Sequence, residues 1–223
     1  MLLYYITDRS QFPGDESVRR RRLLEKMAEA VHCGVDYIQL RERDLSPREL
    51  EILALEAMSV IDNLRTGNSK LKTGFLINSR TDIAIACGAD GVHLRSNDIS
   101  PSEVREIWAK SGTRTFRGQA PARATVGVSC HTPAEVASAA AQNADFVVFG
   151  PTFEKANSRP AGLEALREVC QQKIPVLALG GISVENAEIC MLAGAAGIAA
   201  IRLFQENEVE KVVAALRSKK TSR

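Results

Sequence analysis

The chain has 223 residues, 45% of them hydrophobic and 25% charged, with 29 Lys and Arg against 27 Asp and Glu for a net charge of +2. That is enough apolar material for one core. No apolar run approaches the roughly 18 residues of a membrane span, and the balanced charge gives no reason to expect a nucleic-acid partner. The dense basic run from Arg19 to Arg22 spans more than one face of a helix and reads as solvated surface. Five scattered cysteines (Cys33, Cys87, Cys130, Cys170 and Cys190), with no CxxC spacing, predict reduced thiols of a cytoplasmic protein, and Met1 leading straight into an apolar run predicts no signal peptide.

Leu2 to Thr7 reads as the first strand. Leu23, Met27, Ala30 and Val31 then keep the three-to-four spacing of a helix with one apolar face. The second strand, Tyr37 to Leu40, runs into Arg41-Glu42-Arg43-Asp44. Alternation sends Gln39, Arg41 and Arg43 the same way, an amide and two guanidinium groups suited to a phosphate or pyrophosphate; ion pairs with Glu42 or Asp44 are the alternative. Ser46-Pro47-Arg48-Glu49 opens the next helix with a hydroxyl N-cap, Pro at the first helical position and Glu completing a capping box, a pattern repeated at Ser100 to Glu103 and Thr132 to Glu135.

The third strand, Gly74 to Asn78, leads into Ser79-Arg80, and the fourth, Gly91 to Leu94, into Arg95-Ser96-Asn97-Asp98. Asn78 and Asp98 are turn formers by type. Asp98, however, precedes a helix that Ser100 already caps, which leaves its carboxylate available for a cation or ligand. After a Gly- and Pro-containing insertion from Ser111 to Ala124 comes the fifth strand, Thr125 to Ser129, followed by Cys130-His131. His131 sits at a helix start and is a candidate general acid or base, whereas His32 and His93 are weaker candidates. The sixth strand is Phe146 to Gly150. The seventh, Pro175 to Leu179, runs into Gly180-Gly181-Ile182-Ser183, with Asn186 in the next turn. The eighth is Gly197 to Ile201. Paired glycines opening a helix at that place predict a phosphate cradle of bare backbone N–H groups.

One phrase recurs four times, as Gly34-Val35-Asp36-Tyr37, Gly88-Ala89-Asp90-Gly91, Asn143-Ala144-Asp145-Phe146 and Gly194-Ala195-Ala196-Gly197, at intervals of roughly 50 to 55 residues. Each copy ends a helical stretch and begins a strand, and the interval fits two βα units. Four such pairs predict a single (β/α)8 TIM barrel over residues 1–223, with a doubly wound open sheet as the alternative.

Six segments in order carry a family resemblance: Tyr4-Tyr5-Ile6-Thr7-Asp8, Ile38-Gln39-Leu40-Arg41-Glu42-Arg43, Asp90-Gly91-Val92-His93-Leu94, Gly127-Val128-Ser129-Cys130-His131, Phe149-Gly150-Pro151-Thr152-Phe153 and Ala178-Leu179-Gly180-Gly181-Ile182. Over nearly its whole length the chain resembles the thiamine phosphate synthase and thiazole tautomerase (TenI) superfamily. For a synthase the resemblance implies that an aminopyrimidine methyl pyrophosphate ionises and that a thiazole phosphate captures the cation. It implies Gln39, Arg41, Arg43 and Asn78 on the pyrophosphate, magnesium on Asp98, Ser129 at the departing group, and Gly180 with Gly181 on the thiazole phosphate. Tyr4 and Lys155 are further implied substrate-binding residues, and His131, Ser129 and Arg41 the catalytic set.

This chain departs from the synthase pattern at Arg43, where Lys is usual, at Ser79, where an Asp magnesium ligand is usual, and at Arg95 and Arg202, where small residues are usual. Lys155 or Arg159 stands near the Lys usual in the loop after strand six, a loop (Glu154 to Pro160) expected to close over the ligand. A metal-independent thiazole tautomerase using His131, or a non-catalytic binder of a phosphorylated ligand, are the alternatives. Exposed apolar positions on the helices would permit a homo-oligomer.

Overall fold

The structure, a computed structural model, describes residues 1–68, 70–112, 123–153 and 160–218. Eight parallel strands close into a barrel in chain order: β1 (Leu2–Ile6), β2 (Tyr37–Leu40), β3 (Gly74–Asn78), β4 (Gly91–Arg95), β5 (Thr125–Cys130), β6 (Phe146–Phe149), β7 (Val176–Leu179) and β8 (Gly197–Ala200). β8 returns to β1 with Tyr4 opposite Ala199, so the open-sheet alternative does not hold. Every predicted strand is present with ends within one residue of expectation.

Around the barrel lie α1 (Glu16–His32), α2 (Pro47–Gly67), α3 (Thr81–Cys87), α4 (Pro101–Lys110), α5 (Pro133–Ala141), α6 (Gly162–Val169), α7 (Ala187–Leu192), a four-residue α8 (Arg202–Gln205) and α9 (Val209–Ser218). Ser46, Ser100 and Thr132 each form both halves of a capping box with Glu49, Glu103 and Glu135. In α1 the buried face is the one read from spacing, Leu23, Met27, Ala30 and Val31, while Arg20 pairs with Glu56 on the outer surface. No helix among the described residues is long and apolar enough to cross a membrane. Outward-facing apolar side chains do occur, at Ile52 and Leu55 on α2 and Ile189 and Leu192 on α7.

The repeated phrase has a structural cause at the N-terminal end of the barrel. Asp36, Asp90 and Asp145 each donate a backbone N–H to the strand before their own, at Leu3, Phe75 and Val126, and each side chain accepts the N–H of that same residue. An arginine accompanies each carboxylate: Arg217, Arg65 and Arg105 respectively. Ala196 keeps the backbone bond, to Val176, and has no carboxylate to return the second one.

Inside the barrel, Tyr4, Ile6, Leu76, Phe146, Val148, Leu177 and Ala199 form a cluster separate from the strand–helix layer. Tyr4, Tyr37 and Phe146 pack with ring centroids 5.2–6.0 Å apart. Gly127 makes room for this plug, since a Cβ there would stand 2.5 Å from the Phe146 ring and 2.9 Å from His93 Nδ1. The packed floor confines any ligand to the opposite end of the barrel, where the strands run out into loops.

Candidate active site

At the C-terminal ends of the strands the barrel opens into a cavity of about 680 Å³. Gln39, Arg41 and Arg43 all line it, as the alternation of β2 predicts. The alternative ion pairs of Arg41 and Arg43 do not form, because Arg9 takes both nearby carboxylates. Its guanidinium reaches Glu42 at 3.2 Å and Asp44 at 2.7 Å, and its Nε reaches Glu16 at 2.6 Å. Glu42 also accepts from the Thr7 hydroxyl and the Arg9 amide. Burial pushes the Glu42 carboxyl up, opposed by these hydrogen bonds and the Arg9 charge. Burial, and then the neighbouring Arg43, lower the pKa of Arg41. Among the described residues neither Arg41 nor Arg43 has an ion-pair partner, and Arg41, a half-buried cation, calls for an anion from outside, with the exposed Arg43 beside it.

Gln39 is 1% exposed, donates from Nε2 to Asn78 Oδ1 at 2.8 Å, and among the described residues leaves its Oε1 buried without a partner. An unpaired buried acceptor on a cavity wall is costly until a ligand donor meets it. Asn78 in turn points Nδ2 at the Ser79 hydroxyl.

Tyr4, expected to touch substrate, does not line the cavity. It is fully buried in the floor, with its hydroxyl 3.0 Å from His93 Nδ1. His93 Nε2 lies 2.8 Å from Ser129 Oγ, and Ser129 lines the cavity. Burial, then the charge of Arg41, hold the His93 pKa down at about 3, so the ring is neutral. If Nδ1 carried the ring proton, the buried Tyr4 proton would have no acceptor; Tyr4 therefore donates to Nδ1, and Nε2–H donates to Ser129. Among the described residues the Ser129 hydroxyl has no protein acceptor of its own, which leaves its proton for a ligand in the cavity. His93, set aside in the sequence because it lies inside a strand, shares the inward face with Arg95, and that parity was its available signal.

His131 also lines the cavity, with Nδ1 2.6 Å from the Gly150 carbonyl oxygen. A carbonyl only accepts, so Nδ1 bears hydrogen, and Nε2 is the ring nitrogen with no protein hydrogen bond among the described residues. The His131 amide is held by Glu135, the residue that completes the α5 capping box.

Asp98 is not left over. It closes the turn after β4, accepting the Arg95 amide at 2.8 Å, the Arg95 guanidinium at 2.9 and 3.1 Å and the Ser79 hydroxyl at 2.6 Å. Burial opposes its ionisation, and these hydrogen bonds, with the Arg95 charge, hold its carboxyl below the usual range. Ser79 has φ 57°, a left-handed conformation that Asn or Asp adopts more readily than Ser. Magnesium depends on anionic oxygens. Here the one carboxylate is engaged by a guanidinium, and the one hydroxyl proton beside it points at that carboxylate. Among the described residues no group of three or more His, Cys, Asp or Glu could hold a metal. The donor set as it stands does not fit the ion.

Across the mouth, Gly180 and Gly181 line the same cavity, with Ile201, Arg202 and Leu203. Both glycines have positive φ, 95° and 64°, and a Cβ on Gly180 would stand 2.6 Å from Pro151. The helix that was to open at these glycines begins only at Ala187, because Asn186 first folds back to bind Ser183 N–H and the Gly181 carbonyl. The cradle is therefore loop backbone: among the described residues, the Gly181 and Ile182 amides have no hydrogen-bond acceptor. Lys155 and Arg159 of the β6–α6 loop, and the middle of the 111–124 insertion, lie outside the described residues.

A parallel (β/α)8 barrel whose open end gathers unmatched arginines, free amides, a serine and a histidine is built as barrel enzymes are, with the site at the strand C-termini and the donors that would meet an anion. Comparison with known proteins narrows that class. The family model described as thiamine monophosphate synthase matches residues 3–204. The chain is 37% identical over 208 residues to the putative thiamine-phosphate synthase 2 of Aquifex aeolicus (strain VF5), covering 92% of this chain and 97% of that protein. It is 34% identical over 224 residues to the thiamine-phosphate synthase of Methanoculleus marisnigri (strain ATCC 35101 / DSM 1498 / JR1), covering 97% and 94%. Among solved structures it superposes on a thiamine phosphate pyrophosphorylase from Pyrococcus furiosus with TM-score 0.75 and 29% identity, covering 97% and 94% of the two chains. The chain belongs to the thiamine monophosphate synthase family.

Proposed function

We propose that this barrel joins an aminopyrimidine methyl pyrophosphate to a thiazole phosphate and releases pyrophosphate, forming thiamine phosphate. The observation that carries this reading is one cavity with two anion-binding walls. Arg41 and Arg43 stand on the β2 side, and the free amides of Gly181 and Ile182 with Arg202 stand on the β7–β8 side. In the reaction the bond between the pyrimidine methylene carbon and the pyrophosphate oxygen breaks, with its electron pair going to oxygen. The thiazole nitrogen lone pair then forms the new C–N bond. Charge builds on the leaving oxygens, where Arg41, Arg43 and the Ser129 hydroxyl stabilise it. Gln39 Oε1 needs a donor, which a pyrophosphate lacks and the amino group of the pyrimidine has, so Gln39 is assigned to the pyrimidine ring. Magnesium, if held at Asp98, would supply charge that neutralises the departing pyrophosphate. The test incubates the purified protein with each substrate alone and with both. Pyrophosphate and thiamine phosphate should appear in equal amounts only with both, and release of neither would refute the reading.

One observation favours a second reading. His131 lines the cavity with its Nδ1 held by the Gly150 carbonyl, an imidazole placed for the proton transfer that a metal-independent tautomerase of a thiazole carboxylate phosphate requires. Turnover of that substrate in a chelator, lost in His131→Ala, would support it.

A further inference from the structure

Arg95 leaves the end of β4 beside Ser129 of β5, its register partner, and lines the same cavity as Arg41, Arg43 and Asn78. Its guanidinium is bonded to Asp98 yet remains 67% exposed, whereas Asp98 is 11% exposed. The two partners therefore differ in freedom. If the guanidinium swings into the cavity, Asp98 keeps the Arg95 amide and the Ser79 hydroxyl and is not orphaned. If the guanidinium stays, a divalent cation meets a carboxylate already engaged, among arginines that repel it.

Resting on the reading proposed above, we infer that Arg95 is a resident cation of the pyrophosphate subsite, tethered by Asp98 when the site is empty, and that this chain binds pyrophosphate without a divalent metal. An incoming pyrophosphate carries several negative charges and offers paired oxygens to the planar guanidinium fork, so it competes with the single carboxylate for Arg95. Ser79 fits the same account. A hydroxyl at that place donates to Asp98 and holds the tether, where a second carboxylate would repel it. No bond is made or broken in this exchange; one ion pair replaces another.

The test is calorimetric titration of the full chain with inorganic pyrophosphate, in a chelator and then in excess magnesium. Wild type should bind in the chelator with an affinity within about twofold of that in magnesium, and Arg95→Gln should lose about tenfold or more in the chelator. Asp98→Asn, which frees the guanidinium and removes the carboxylate, should retain metal-free binding. The inference is overturned if wild type binds only with magnesium, if Arg95→Gln keeps its metal-free affinity, or if Asp98→Asn abolishes binding. Binding that needs magnesium, together with normal coupling of both substrates, sinks Arg95 alone. Absence of pyrophosphate binding under both conditions sinks the synthase reading as well.

Discussion

Arg9 and Arg41 stand a few residues from the same strand ends and have opposite roles. Arg9 is 4% exposed and fully matched by Glu16, Glu42 and Asp44, so it ties the β1 and β2 ends together and has nothing left for a ligand. Burial and the neighbouring Arg43 lower the pKa of Arg41, and among the described residues no carboxylate forms an ion pair with it. Arg41→Ala should lower kcat about 10²–10³-fold, the cost of removing a positioned charge from a developing anion, with a melting temperature close to wild type; steady-state kinetics and a thermal melt check both. Tyr4→Phe tests the buried chain from Tyr4 through His93 to Ser129. Losing the donor to Nδ1 frees the His93 tautomer, so kcat should fall about tenfold, the worth of one oriented hydrogen bond, with KM little changed. Equal kinetics in Tyr4→Phe would leave Tyr4 a packing residue. Gln39, Arg41 and Arg43 were legible because strand alternation needs no partner. Arg9, and the tie between Arg95 and Asp98, were not, since which carboxylate meets which arginine depends on loop geometry beyond any local spacing.

Among the elements, helix starts and strands were readable for local reasons. The Ser-Pro-x-Glu and Thr-Pro-x-Glu boxes satisfy helix amides within four residues of chain, and short β-branched runs buried on both faces admit little but parallel strands. Ser46→Ala should remove about 1 kcal/mol and lower the melting temperature by roughly 2–4 °C. Gly127→Ala should cost about 1–3 kcal/mol, because a methyl there meets the Phe146 ring and the floor must shift; calorimetry of the two variants gives the comparison. The start of α7 was misread because Gly-Gly before a polar run looks like a helix opening, and only the Asn186 contacts to Ser183 and Gly181 show the extra turn.

At the level of the whole molecule, one interior imidazole contributes to the loss of stability in acid. His93 is neutral in the fold down to about pH 3, while in the unfolded chain it takes up a proton below roughly 6.5. Between those values the unfolded state binds more protons, so stability falls as pH falls, by roughly 1.4 kcal/mol per unit from this group. Urea titrations between about pH 4 and 6 should show stability falling toward acid, and His93→Gln should make that fall shallower by about this slope.

The closed ring was legible from its four-fold phrase, whose cause is the aspartate that bonds twice to a preceding strand. The exception in that set, Ala196, has a mechanical meaning. Three seams of the ring are riveted by a carboxylate and an arginine, and the seam between β7 and β8 is fastened by its backbone alone. The quarter that leads up to Gly180 and Arg202 lacks that side-chain tie among the described residues, so deuterium should enter at the Val176 amide sooner than at Leu3, Phe75 or Val126.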